Sequence, residues 1–239
     1  MSDVLVAGGA FVREHLRARL TLVLLVAIPA FFVLVFASVL GDFAAALGGT
    51  IDGSAATAIS AGWAAAFLSG TLAFFEVSSS RGADRRLALS GMGARRVALA
   101  RITASLLLAF TVSAVAYVTL WLRSGIGHPV HAAVAVLAFA AIYTGVGALV
   151  GAFVSGQLEG SLLVVLVFAI DVFSGPAMTS GGGLGAVTPT RVAGDLLIAA
   201  GGSRSSAPGD WISALLTAVG GLGVALGAFW FAARTRSRR

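Results

Sequence analysis

Residues 20–40 read LTLVLLVAIPAFFVLVFASVL, a run without one charged side chain. At about 1.5 Å of rise per helical residue this run reaches roughly 30 Å, the thickness of a bilayer's hydrocarbon core. Pro29 interrupts it, which a membrane helix tolerates where neighbouring groups satisfy the freed carbonyl. A helix on the surface of a soluble protein would show a polar stripe instead. The run is also longer than the roughly 7 to 15 apolar residues of a secretory signal, and no small-x-small cleavage site stands out after Leu40. It is therefore expected to remain as a first membrane helix.

Further apolar segments follow at 55–77, 97–122, 130–154, 160–177 and 211–233. They predict an all-α integral membrane protein with six transmembrane helices in a single domain over 1–239. The bulk numbers agree: 58% of residues are hydrophobic, 11% are charged, and the mean hydropathy is +0.98. Soluble domains carry about a quarter charged residues. Little sequence is left between the spans for a soluble domain.

The charge distribution gives an orientation. Arg13, Arg17 and Arg19 precede the first span. Arg81, Arg85, Arg86, Arg95, Arg96 and Arg101 lie between or beside the second and third, and Arg234, Arg236, Arg238 and Arg239 follow the sixth. Only Arg123, Arg191 and Arg204 fall on the other side. Because positive loops near span ends stay in the cytoplasm, both termini are expected there, in a multi-pass protein of a cell membrane. The net charge of +6 is thus chiefly a topology signal. The arginines sit at membrane ends without interleaved aromatic residues, so nucleic acid is not an expected partner. The Arg-only, Ala- and Gly-rich usage points to a high-GC bacterial genome. With no lysine, the phosphate-binding loop ending Gly-Lys-Ser/Thr is absent, and with no cysteine there is no disulfide or thiolate metal site.

Outside the spans, residues 3–18 place Val4, Leu5, Phe11, Val12 and Leu16 at near-helical spacing, as in a helix lying in the membrane interface; a frayed polar tail is the alternative. Residues 41–54 read as a connector. Residues 178–210, containing Thr188-Pro189-Thr190, form a longer outer segment in which re-entrant helices dipping partway into the membrane are expected.

Between the second and third spans, residues 76–101 read EVSSSRGADRRLALSGMGARRVALAR. Two adjacent helices need only a few connecting residues, so a patterned segment of this length predicts an element of its own. Ser79 or Ser80 can cap a helix, Asp84 falls in its first turn, and Leu87 and Leu89 supply apolar contacts before Gly91 and Gly93 end it. The reading is a short helix over about 80–92, parallel to the membrane and facing the cytosol. A basic anchor for anionic headgroups is the plainer alternative.

This segment resembles the cytoplasmic loop of permease subunits of ABC type-2 transporters, a family that includes the daunorubicin-type drug exporters. Their loop runs acidic, Arg-Gly-Thr, then Arg-Leu-Leu, a small residue, Thr-Pro and a basic residue. The matching positions are Glu76, Arg81-Gly82-Ala83, Arg86-Leu87-Ala88, Ser90-Gly91 and Arg101, with Ala83 and Gly91 departing from the pattern. The layout of an interfacial helix, six spans and a long outer segment before the last is similar too. The resemblance implies a pair of permeases, identical or mixed, and two copies of a separate ABC ATP-binding subunit that holds ATP and Mg. No cofactor or catalytic role is then expected in this chain. Coupling to the ATPase would fall to Glu76, Arg81, Gly82, Asp84, Arg85, Arg86, Leu87 and Leu89. The implied function is export of a hydrophobic or lipid-like substrate; a secondary transporter or channel without an ATPase is the alternative.

Remaining polar residues divide as follows. Asp171 lies within the fifth segment, where an ionisable group is costly, and is a candidate for the substrate pathway. Glu159 suits a helix N-terminus. Glu76, at a helix C-terminus, calls for a partner such as Arg81 or Arg101. His128 and His131 could share a helix face as a metal pair, but no third ligand is near in sequence, which favours interfacial anchoring. Gly147 and Gly151, and Gly223 and Gly227, permit close helix approach, in ordinary packing or in a dimer seam. No Gly-x-Ser-x-Gly elbow or His-Glu-x-x-His motif appears.

Overall fold

A computed structural model describes residues 19–46, 53–87, 94–175, 188–201 and 209–236. The interfacial helix expected at 3–18 lies outside the described residues. The described chain is helical throughout: α1 (Arg19–Ala46), α2 (Gly53–Ser79), α3 (Arg81–Leu87), α4 (Ala94–Ser124), α5 (Pro129–Phe153), α6 (Gln157–Ser174), α7 (Arg191–Ala200) and α8 (Asp210–Arg236). Five of these, α1, α2, α4, α5 and α6, are long and apolar enough to cross a membrane. The chain is a multi-pass, all-α membrane protein. In α8 the apolar stretch is Trp211–Val224, within a helix of 27 residues.

α2 and α5 form the centre. Every other long helix described packs on one or both of them, and their mutual contact is the most extensive among the described helices. The approach is close because it is built on missing side chains. A Cβ on Gly147 would overlap the Gly70 carbonyl of α2, and one on Gly151 would come 2.9 Å from Val77 and 3.0 Å from the Phe74 carbonyl. Gly145 lies on another side of α5, where a Cβ would meet the Gly221 carbonyl of α8 at 3.0 Å. These glycines of the fourth span therefore serve packing within the chain. Gly220, Gly223 and Gly227 of α8 have open space beside them.

The interior holds Ile59, Trp63, Phe139, Tyr143, Leu196 and Leu197. The outside is equally apolar, with Phe31 and Val35 on α1, Phe110 on α4, and Leu162, Leu166, Ile170 and Phe173 on α6 exposed. Helices apolar on both faces suit a lipid solvent. Hydroxyls of Thr57, Ser60, Thr71, Thr103, Ser113 and Thr144 donate to carbonyls four residues back on their own helices. Such bonds satisfy polar groups without a cross-chain partner.

Three helix ends follow from sequence. α4 stops where Gly125 takes φ +67°, a left-handed conformation that glycine adopts without steric cost. α5 opens on Pro129, whose missing N–H would have had no intrahelical partner at that position. α6 runs Gln157–Ser174 rather than 160–177. Glu159 in its first turn favours the helix dipole there, and Gly175 is extended as the residue before Pro176, which ends the helix early.

α7 is short and nearly enclosed, packed on α2, α5 and α8. At its C-terminal end, the Ala200 carbonyl accepts the backbone N–H of His128 at 3.2 Å, and Gly201 sits beside Ser54 and Ala58. That is the end of the bundle where α2 and α5 begin. From there α7 reaches inward by its ten residues, about 15 Å.

Candidate functional sites

The inward end of α7 meets the buried acid of α6. Asp171 is 2% exposed, and its Oδ2 accepts hydrogen bonds from the Tyr143 hydroxyl of α5 at 2.9 Å and from the Thr190 hydroxyl at 2.6 Å. Thr190 is the N-cap of α7, and its side chain makes no capping bond to its own helix. The N-terminus of α7 and its dipole therefore face a carboxyl group from a different helix, an arrangement that lowers the cost of negative charge at that place. Oδ1 nevertheless has no hydrogen-bond partner among the described residues.

Aromatic rings adjoin Tyr143. Phe168, one turn before Asp171, has its ring centroid 5.9 Å from that of Tyr143 in an edge arrangement and 5.1 Å from that of Phe67 on α2. Trp63, also on α2, is buried against Phe36 and stands near Gly175 just past Asp171. Tyr143 and Trp63 are buried, whereas Phe67 and Phe168 are only half-buried. Sequence reading singled out Asp171 but not Tyr143 or Thr190. These lie 28 and 19 residues from it along the chain, and nothing local marks them.

A second polar centre lies at the opposite end of the bundle, where α2, α3 and α4 meet. Glu76 near the end of α2 and Arg101 in α4 form a salt bridge with both side chains 7% exposed. Of the two arginines considered for Glu76, Arg101 is thus a partner. The pair ties the base of α2 to α4 on either side of α3, which itself packs on both. The described helix, Arg81–Leu87, is seven residues long and falls within the 80–92 read from sequence; residues 88–93, Leu89 among them, lie outside the described residues. Arg81, Gly82, Asp84, Arg85, Arg86 and Leu87 all fall in it. Arg86 and Gly82 are exposed and Leu87 is half-buried. α3 therefore carries Arg81, Gly82, Asp84, Arg85, Arg86 and Leu87 of the coupling residues expected from sequence, Glu76 lies near the end of α2, and Asp171 belongs to a different region.

His128 and His131 stand at the start of α5 with ring centroids 5.6 Å apart. Among the described residues no group of three or more His, Cys, Asp or Glu side chains could hold a metal. In comparisons with known proteins, no family model and no curated protein matches the chain.

Proposed function

We propose that this chain is the membrane-spanning permease subunit of an ATP-driven ABC exporter of the type-2 kind. It works as one of a pair of permeases with two separate ATP-binding subunits and moves a hydrophobic or lipid-like substrate out of a bacterial cytoplasm. In this reading α8 is the sixth span, α7 is a re-entrant helix entered from the outer face, and α3 is the coupling helix at the cytoplasmic end. The observation that carries the proposal is α3 with its foundation. A separate short helix with Arg86 exposed sits between two long spans, and the buried Glu76–Arg101 pair joins those spans beneath it. A docking partner that pushes on α3 would act on α2 and α4 together. ATP shifts such a system only through the difference in its affinity for the two ATPase arrangements, and α3 is the element able to transmit that difference.

The test is affinity capture of the chain from its native membrane in mild detergent, with mass spectrometry of what copurifies. The expected result is a stoichiometric ATPase subunit. In the triple variant Arg85→Ala, Arg86→Ala, Leu87→Ala, ATP hydrolysis should become uncoupled from transport while membrane insertion is unchanged. Wild-type coupling in that variant would remove the role given to α3.

A second reading, a secondary transporter working without an ATPase, is favoured by the buried Asp171, since intramembrane acids commonly serve ion or proton pathways. Recovery of the chain alone, under conditions that preserve other membrane complexes, would select it.

A further inference from the structure

Arg123 runs against the usual habit of arginines at membrane ends. It stands in the last turn of α4, and its Nη1 donates to the main-chain carbonyl of Leu34 on α1 at 2.7 Å. That carbonyl is well inside the bundle's end. Leu34 lies about 12 Å along α1 before Asp42, where the apolar stretch of that helix closes. Phe36, half a turn on, has its ring against Trp63, which is itself about 15 Å in from the start of α2 at Gly53. α4, by contrast, finishes near the level of that start: Gly127, just beyond it, adjoins the Ala200 carbonyl, and Gly201 adjoins Ser54. The Arg123 side chain therefore reaches inward from the end of α4, whereas long cationic side chains ordinarily snorkel outward to the headgroups.

The groove it crosses faces the bilayer. Arg123, Leu34 and Ser38 are all exposed, and so is Trp121, which stands at that end of α4 as interfacial tryptophans do. A guanidinium carries five N–H donors in a planar fork, and the Leu34 carbonyl is one neutral acceptor. Among the described residues no carboxylate forms an ion pair with Arg123. Positive charge on the lipid side of a helix bundle is costly until an anion meets it. The anion that a bilayer itself supplies is the phosphodiester of a phospholipid, and guanidinium matches phosphate with paired, charge-assisted hydrogen bonds.

We propose that Arg123 and the groove between α1 and α4 form a binding site for one phospholipid. Its phosphate is drawn below the headgroup plane to the guanidinium, and a chain lies along the exposed Leu34 and Phe31. The lipid is a fixed part of the α1–α4 contact rather than cargo, and the bilayer beside it is locally thinned. Only the name of the leaflet, the outer one, rests on the exporter reading.

The test places a bimane label at Ser38→Cys, one turn outward of Leu34, in the full chain in phosphatidylcholine nanodiscs; the chain has no native cysteine. Quenching by phosphatidylcholine with a nitroxide on its headgroup is compared with quenching by the same lipid with the nitroxide midway along an acyl chain. A label at Val118→Cys, exposed on the side of α4 turned away from Arg123, is the control. The headgroup-to-chain quenching ratio should be higher by about twofold or more at Ser38→Cys than at Val118→Cys, and adding Arg123→Gln should remove the difference. Equal ratios at the two positions, or a difference that survives Arg123→Gln, would make Arg123 a latch on Leu34 alone and overturn the site. The first comparison leaves Arg123 in place, so it decides even if Arg123→Gln does not fold. Inorganic phosphate in the buffer should leave the ratio unchanged; a fall would assign the guanidinium to a free anion and overturn the lipid. The lipid signal without ATPase recovery would remove the exporter reading alone, and ATPase recovery without the lipid signal would remove this site alone.

Discussion

At Gly147 the fold depends on a single missing carbon. The Gly70 carbonyl occupies the space its Cβ would need, and that obstacle is main chain, which cannot swing aside as a side chain can. Small residues in membrane helices act in this way: they let backbones approach where no hydrophobic effect drives association. Gly147→Ala should therefore force α2 and α5 apart and lower stability by about 1–3 kcal/mol or more, as overpacking does elsewhere. Gly223→Ala is the matched control, since its neighbourhood on α8 is open. Thermal melting of both variants in detergent checks the contrast, and equal melting temperatures would mean that α2 and α5 adjust more freely than their contact implies. Both glycines stand in small-xxx-small pairs in the sequence, so spacing alone could not tell the one that packs from the one that is free.

Between elements, the Glu76–Arg101 pair is the polar joint under α3. Breaking a buried pair by removing one partner leaves an uncompensated charge and costs about 3–5 kcal/mol, whereas replacing both with apolar groups of similar size is often close to neutral. Arg101→Met should accordingly be strongly destabilising, and the double variant Glu76→Met, Arg101→Met should recover much of the loss in the same melting assay. A double variant as unstable as the single one would show that Glu76 and Arg101 matter mainly through other contacts. This joint was partly legible in the sequence, because an acid at a helix C-terminus needs a cation and only nearby arginines could supply one. The Asp171 centre was legible only in its acid. Tyr143 and Thr190 reach it through the crossing of α5 with α6 and the placement of α7, and a tyrosine or threonine in an apolar segment carries no periodicity that distinguishes a cross-helix donor from a hydroxyl bonded to its own turn. The end of α6 was misread for a local reason. Hydrophobicity continues past Ser174, but the backbone before Pro176 is extended, and a hydropathy reading follows the former.

For the molecule as a whole, long uncharged runs made the membrane class and the helical content legible, because only helices and closed barrels satisfy the backbone in lipid. Direction across the membrane is a separate matter, set by where the arginines lie rather than by the packing of the bundle. The two ends of the bundle differ accordingly: α3 and the Glu76–Arg101 joint mark one, and the starts of α2 and α5 with the end of α7 mark the other. If the arginine-rich end is cytoplasmic and α8 crosses as a sixth span, both termini lie inside and the turn after α4 lies outside. The absence of native cysteine makes this directly measurable, since any thiol introduced is the only one in the chain. In intact cells, a membrane-impermeant maleimide should label Ser124→Cys, at the end of α4, and leave Ser2→Cys and Ser237→Cys unlabelled until the membrane is opened. Labelling of Ser237→Cys from outside, with Ser2→Cys protected, would mean an odd number of crossings, and α8 would then lie along the membrane surface rather than through it.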